Sequence, residues 1–158
     1  MKKWKICLAL ATAPLFVTQG AAQPACAALD AALPTEFAGW NTAPAPVAPG
    51  KPAIVVLAAA NGIAFAAPPG RTPDPAKNAG ILSFSVDKPG TYRIALGVAA
   101  WIDIVRNGRV IASTTHAHGP ACSTIRKIVS FPLVTGRYQV QLSGAKETTA
   151  RILIAGPS

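Results

Sequence analysis

Charge and aromatic character are scarce in this chain. Asp, Glu, Lys and Arg together make up 13% of its 158 residues and Phe, Trp and Tyr 6%, against 51% hydrophobic residues. A chain this apolar is not a disordered acidic or basic tail. With so few aromatics it lacks the stacking platforms by which proteins hold nucleic acid, so no nucleic-acid partner is expected. No glycine-rich loop follows a strand and opens a helix, which disfavours nucleotide chemistry. No nucleophile elbow is visible around any serine. Beyond residue 22 no apolar run is long enough to span a bilayer; residues 47–67 come closest, and Pro, Lys and Asn interrupt them. The length excludes a full-size multidomain enzyme.

Proline and glycine, at 15 and 13 residues, are plentiful and favour turns over long helices. The N-terminus is patterned as an address. Lys2, Lys3 and Lys5 precede an apolar run at 6–17, and Gly20 and Ala22 are the small residues before a cut at Gln23. Basic region, apolar core and small-residue site together read as a secretory signal peptide over 1–22, which places the mature chain in the periplasm or outside the cell. The competing readings are an uncleaved anchor and lipidation at Cys26. Removing three lysines takes the 15 basic residues to 12 against 6 acidic ones, a net charge of +6. Such a surface favours anionic partners such as lipid head groups, polyanionic sugars or small acids, a small anionic ligand or an envelope component; as nothing clusters the charge into a run, the alternative is a plain solvated basic surface.

Cysteine usage agrees with export. Cys7 leaves with the leader, and Cys26 and Cys122 remain as an even pair. Exported pairs usually bridge, and the expected disulfide joins the start of the mature chain to its last third. A reactive or metal-binding thiol is the rival.

The mature chain divides into a Pro/Ala-rich lead-in over 23–52 and a domain over 53–158. In the lead-in, one helical turn is expected at 29–33, Phe37 and Trp40 pin the segment to the body, and residues 43–50 form a stiff extended linker. From Ile54 onward short apolar or alternating runs recur about every ten residues with Gly/Pro turns between them, the spacing of an all-β antiparallel sandwich or jelly roll. Residues 54–59 read as a strand that 62–65 pairs with, and 67–78 as a loop. In 91–96, Tyr92, Ile94 and Leu96 alternate onto one face. Asn107-Gly108 fits the two-residue turn that needs positive φ twice. Arg106 then pairs with Arg109, and opposed residue numbers sum to 215. Strand 125–131 is expected to end at Pro132. Lys88-Pro89-Gly90-Thr91-Tyr92 and Val134-Thr135-Gly136-Arg137-Tyr138 echo each other as strand starts, with Tyr over the turn.

One constellation has chemical potential. His116-Ala117-His118-Gly119-Pro120-Ala121-Cys122 holds both histidines of the chain. In an extended segment residues i and i+2 share a face, so His116 and His118 can reach one divalent metal ion, as His-x-His pairs do. Asp103 is the candidate third ligand. A continuous ladder leaves it about 13 Å from His116, so it serves only if the chain bends back after Thr115. Glu36 and Glu147 cannot be placed. Against the metal stands a polar, disulfide-pinned loop whose histidines make ordinary hydrogen bonds, with no cofactor. Ser113 or Ser123 with His118 and Asp103 makes a thin catalytic set. Arg126, Lys127 and Trp101 are the candidate residues for an anionic ligand, Arg126-Lys127 being otherwise a solvated strand edge.

Ala100-Trp101-Ile102-Asp103-Ile104-Val105, the His-x-His segment through Cys122, and Ile125-Arg126-Lys127 resemble a group of small exported proteins of alphaproteobacteria, sphingomonads above all, over most of the mature chain. The group has no established activity. Some members carry the name homogentisate 1,2-dioxygenase, a family that is much longer, intracellular, cupin-like and iron-dependent. The length, the leader and the lack of a His/Glu/His set here argue against that activity. The Pro-Gly-x-Tyr strand followed by Ile-Asp-Ile and Asn-Gly also resembles prepeptidase C-terminal-type β-sandwich modules over a short stretch. The expectation is therefore an exported, non-catalytic binding or accessory module. The alternatives are a metal-dependent enzyme using His116 and His118, and an envelope structural module that associates through edge strands.

Overall fold

A computed structural model describes residues 26–157. The leader, the first three residues of the lead-in and Ser158 lie outside the described residues. Ten strands follow in chain order: β1 (Pro52–Val56), β2 (Ala58–Ala59), β3 (Asn78–Val86), β4 (Gly90–Leu96), β5 (Trp101–Arg106), β6 (Arg109–Ile111), β7 (Thr115–His118), β8 (Lys127–Leu133), β9 (Gly136–Ala145) and β10 (Thr149–Ala155). They form two five-stranded sheets, β1-β10-β4-β8-β7 and β2-β3-β9-β5-β6. Every ladder is antiparallel. The fold is the all-β sandwich that the strand spacing implies.

The core follows from alternation. Tyr92, Ile94 and Leu96 point inward from β4, meeting Leu82, Phe84 and Val86 of β3, Ile102 and Ile104 of β5, and Val140 and Leu142 of β9. Side chains of such size each contribute roughly 1.5–3 kcal/mol when taken from water. Asn107 and Gly108 have φ of 50° and 72°, and the hairpin pairs Arg106 with Arg109, Val105 with Val110 and Ile104 with Ile111. The two echoing segments prove to be a repeated device. The Tyr92 hydroxyl donates to the Lys88 carbonyl, and the Tyr138 hydroxyl to the Val134 carbonyl, each four residues upstream. Each tyrosine thereby closes the turn before its strand.

Three expectations give way. Residues 62–65 are not a strand: β2 pairs with β3, and 63–77 is a loop. The helical turn of the lead-in falls at Thr35–Asn41, after Pro34, not at 29–33. Pro132 lies inside β8 rather than ending it. The Ser130 carbonyl accepts from the Thr114 amide on the β7 side, so Pro132, two residues on, faces the same side beyond the reach of β7. Its missing N–H loses no partner there.

Each sheet has a covered outer face. The lead-in lies over the first sheet, where Phe37 and Trp40 pack with Ala95, Leu153, Ala155 and Ile125 in a second apolar cluster. Arg151 donates to the Trp40 carbonyl and stacks over its ring. Over the second sheet runs the proline-rich loop 63–77. Four of its residues are Pro68, Pro69, Pro73 and Pro75, which have no amide to give a ladder, so side chains of the sheet fasten it instead. Gln141 accepts from the amides of Ala66 and Ala67 and donates to the Ala67 carbonyl. Its cross-strand neighbour Asp103 accepts from the Gly70 amide.

Candidate functional site

The loop fastened by Gln141 and Asp103 ends at one mouth of the sandwich. There Arg71, Thr72, Pro73, Asp74 and Lys77 face the start of β5, the end of β9, all but the first residue of β7, and Arg126-Lys127, enclosing a cleft of about 620 Å³. His116 pairs with Val129 and His118 with Lys127. Directly opposed residues project to one face. Val129 points into the core, so His116, His118 and Lys127 share the inner face of the first sheet. They stand where the second sheet no longer covers it, and both histidines are exposed.

Lys127 spans the cleft floor. Its Nζ donates to the Ala100 carbonyl at 3.0 Å and sits 5.5 Å from the centre of the Trp101 ring, within cation–π range. Burial lowers its pKa below the ordinary lysine value of 10.5, and the charge of Arg71 lowers it further. Trp101 is held from its other edge: its Nε1 donates to Asp103 Oδ1 at 3.0 Å. The ring is 40% exposed. Small residues, Ala99, Ala100, Ala117 and Gly144, line the cleft around it.

Four formal cations line the cleft, Arg71, Lys77, Arg126 and Lys127, with Asp74 the one carboxylate among the lining residues. Among the described residues the single ion pair is Arg93–Glu36, on the outer face of the first sheet, so none of the four is neutralised by an acidic neighbour in that way. Asp74 spends one oxygen on the amide of Ala76. The outcome is a positive cleft with an aromatic wall.

The structure thus gathers His116, His118, Arg126, Lys127 and Trp101 around one space. Asp103 does not join them as a ligand. It is 5% exposed on the outer face of the second sheet, and its two oxygens are taken by Gly70 and Trp101. Among the described residues no group of three or more His, Cys, Asp or Glu is placed to hold a metal ion. Cys122 is bridged to Cys26, 96 residues away. Ser123 donates to the Pro120 carbonyl, a contact that shapes its own loop.

That loop, 119–126, connects β7 to β8 and carries the cleft wall. Besides the disulfide, Asp30 grips it: the carboxylate accepts from the Thr124 amide and hydroxyl, both at 2.6 Å, and the Asp30 amide donates to the Cys122 carbonyl. Trp40 Nε1 donates to the same Thr124 hydroxyl. Gly119 admits no side chain, since a Cβ there would sit 1.7 Å from the Ile125 carbonyl oxygen.

Arg71, Asp74 and Lys77 escaped the sequence reading. They lie in a segment with no periodicity, and the one local signal was a pair of basic residues in a proline-rich loop long enough to fold back. Comparison with family models, curated proteins and solved structures finds no match to this chain.

Proposed function

We propose that this chain is an exported, non-catalytic binding module of the Gram-negative cell envelope, and that it holds an anionic ligand in the cleft between β7–β8 and the loop 71–77. One observation carries the reading: four cations and two histidines line a cleft of about 620 Å³ with a single carboxylate among them. Positive charge of one sign lining a cleft raises the local concentration of anions. The leader pattern and the bridged cysteine pair support export. Binding is favoured over catalysis because two members of the candidate catalytic set are committed elsewhere, Asp103 to two donors and Ser123 to its own loop, which leaves His118 without its carboxylate.

The test has two steps. Native mass spectrometry of protein taken from a periplasmic extract without chelators should show a chain beginning at Gln23 and lighter by two hydrogens. Isothermal titration with inorganic phosphate and with citrate should then give binding that weakens with salt and in Arg126→Ala. A retained leader with free thiols overturns export. A one-to-one metal adduct lost in His118→Ala returns the metal-dependent enzyme. A mass that grows with concentration and no anion binding points to an envelope structural module.

A further inference from the structure

Resting on that reading of the cleft, we infer that its ligand is an acidic oligosaccharide, a chain of sugars carrying several carboxylates, rather than a simple anion. The cations reach the cleft from separate segments. Arg71 and Lys77 come from one loop and Arg126 and Lys127 from another segment, and both arginines are exposed. No buried nitrogen or oxygen of a described side chain is left without a partner to close on a small ion. An exposed charge pair contributes about 0–1 kcal/mol, so such a site reaches useful affinity only by meeting several charges at once.

Size points the same way. The cleft falls in the range that takes organic ligands of several rings, far more than one carboxylate fills. Trp101 supplies the second recognition element. Trp101 is 40% exposed, held by Asp103 at one edge and Lys127 over the ring, and shares the cleft with Ala99, Ala100, Ala117 and Gly144, whose small side chains take little of the space. A rigid amphipathic ring of this kind packs against the C–H face of a pyranose while its surroundings stay wet. His116 and His118 stand beside it with ring nitrogens able to donate to or accept from hydroxyls. A membrane surface is disfavoured. The other large exposed apolar residues, Leu29, Ile54, Val56, Val110 and Val134, do not line the cleft, so Trp101 stands alone beside the cations and no apolar patch there would enter a bilayer.

Titration of the purified, oxidised protein with a tetra-uronate, its fully methyl-esterified form, the mono-uronate and inorganic phosphate tests this, read by calorimetry and by tryptophan fluorescence, with Trp101→Phe giving the contribution of the buried Trp40. The tetra-uronate should bind about a hundredfold tighter than the monomer, at the low end of multivalent gains. The methyl ester should bind at least tenfold more weakly than the free acid, and Arg71→Ala/Arg126→Ala should lose at least tenfold. Trp101→Ala should weaken the tetra-uronate but not phosphate, and Trp101→Phe, which keeps a ring there, should recover part of the loss. Phosphate or the mono-uronate binding as tightly as the tetramer overturns the oligosaccharide and leaves the anion cleft standing. So does a tighter hold on a single-stranded oligonucleotide. Failure of every anion to bind overturns both readings.

Discussion

Replacing Asp103 by alanine removes one carboxylate that serves two donors from different parts of the chain. The Gly70 amide lies 3.0 Å from one oxygen and the Trp101 indole 3.0 Å from the other. A hydrogen bond to an ionised acceptor contributes about 1.5–3 kcal/mol. Two such bonds would sum higher, but two effects reduce the loss. Gly70 and Trp101 are exposed, so water replaces part of what the carboxylate gave. The carboxylate itself, only 5% exposed, stops costing desolvation once it is gone. A net destabilisation of about 2 kcal/mol is expected. With a urea m-value near 2 kcal/mol/M, the unfolding midpoint should fall by about 1 M at unchanged slope. Asp103→Asn keeps one acceptor but turns an N–H toward the other donor, so it should recover less than half. Gly70 precedes Arg71, so freeing its amide should also weaken anion binding. A midpoint change worth less than about 0.5 kcal/mol, the size of an ordinary surface substitution, would show that Asp103 does not hold the loop.

Gln141→Leu should be costlier, about 2–4 kcal/mol by chemical denaturation, because it strands two amides and a carbonyl at a 1%-exposed position. The Cys26→Ser/Cys122→Ser protein should lose up to about 4.7 kcal/mol, the loop-closure figure for a bridge spanning 96 residues; a loss below about 1 kcal/mol would mean that Asp30 and Trp40 hold the loop unaided. Lys127 gives a pH signature. Its folded-state pKa lies below that of the unfolded chain, so between the two values the unfolded chain carries more protons. Stability should therefore rise with pH across that window, up to about 10.5. Lys127→Met should lack this alkaline gain, and parallel stability–pH curves for the two proteins would contradict it.

The parts of this fold that depend on local pattern were legible in the sequence. Alternation placed Tyr92, Ile94 and Leu96 in the core, and Asn107-Gly108 fixed a hairpin register that the ladder reproduces. His116, His118, Arg126, Lys127 and Trp101 could be singled out because each lies in or beside a strand or an unusual short motif. What depended on a loop folding back over a sheet was not legible. Asp103 read as a possible ligand because it lies on the hairpin just before the histidines, while one of its two actual partners, the Gly70 amide, comes from a segment with no periodicity. The proline spacing does mark Gly70, the first residue after Pro68-Pro69 with an amide to donate. Pro132 misled for a related reason, since whether proline can occupy a strand depends on how far the neighbouring strand extends.

The position of β10 governs when the first sheet can close. It lies between β1 and β4, so the first sheet is joined only by the last strand to be synthesised. Until residue 149 has emerged β1 has no ladder partner, and Cys26 must wait for Cys122. The lead-in cannot settle either, because Phe37 and Trp40 pack on Leu153 and Ala155. Pairings this distant along the chain close slowly. The second sheet and the β4-β8-β7 ladders need nothing from β10, so closure of the first sheet and seating of the lead-in are the steps that wait for this seven-residue strand.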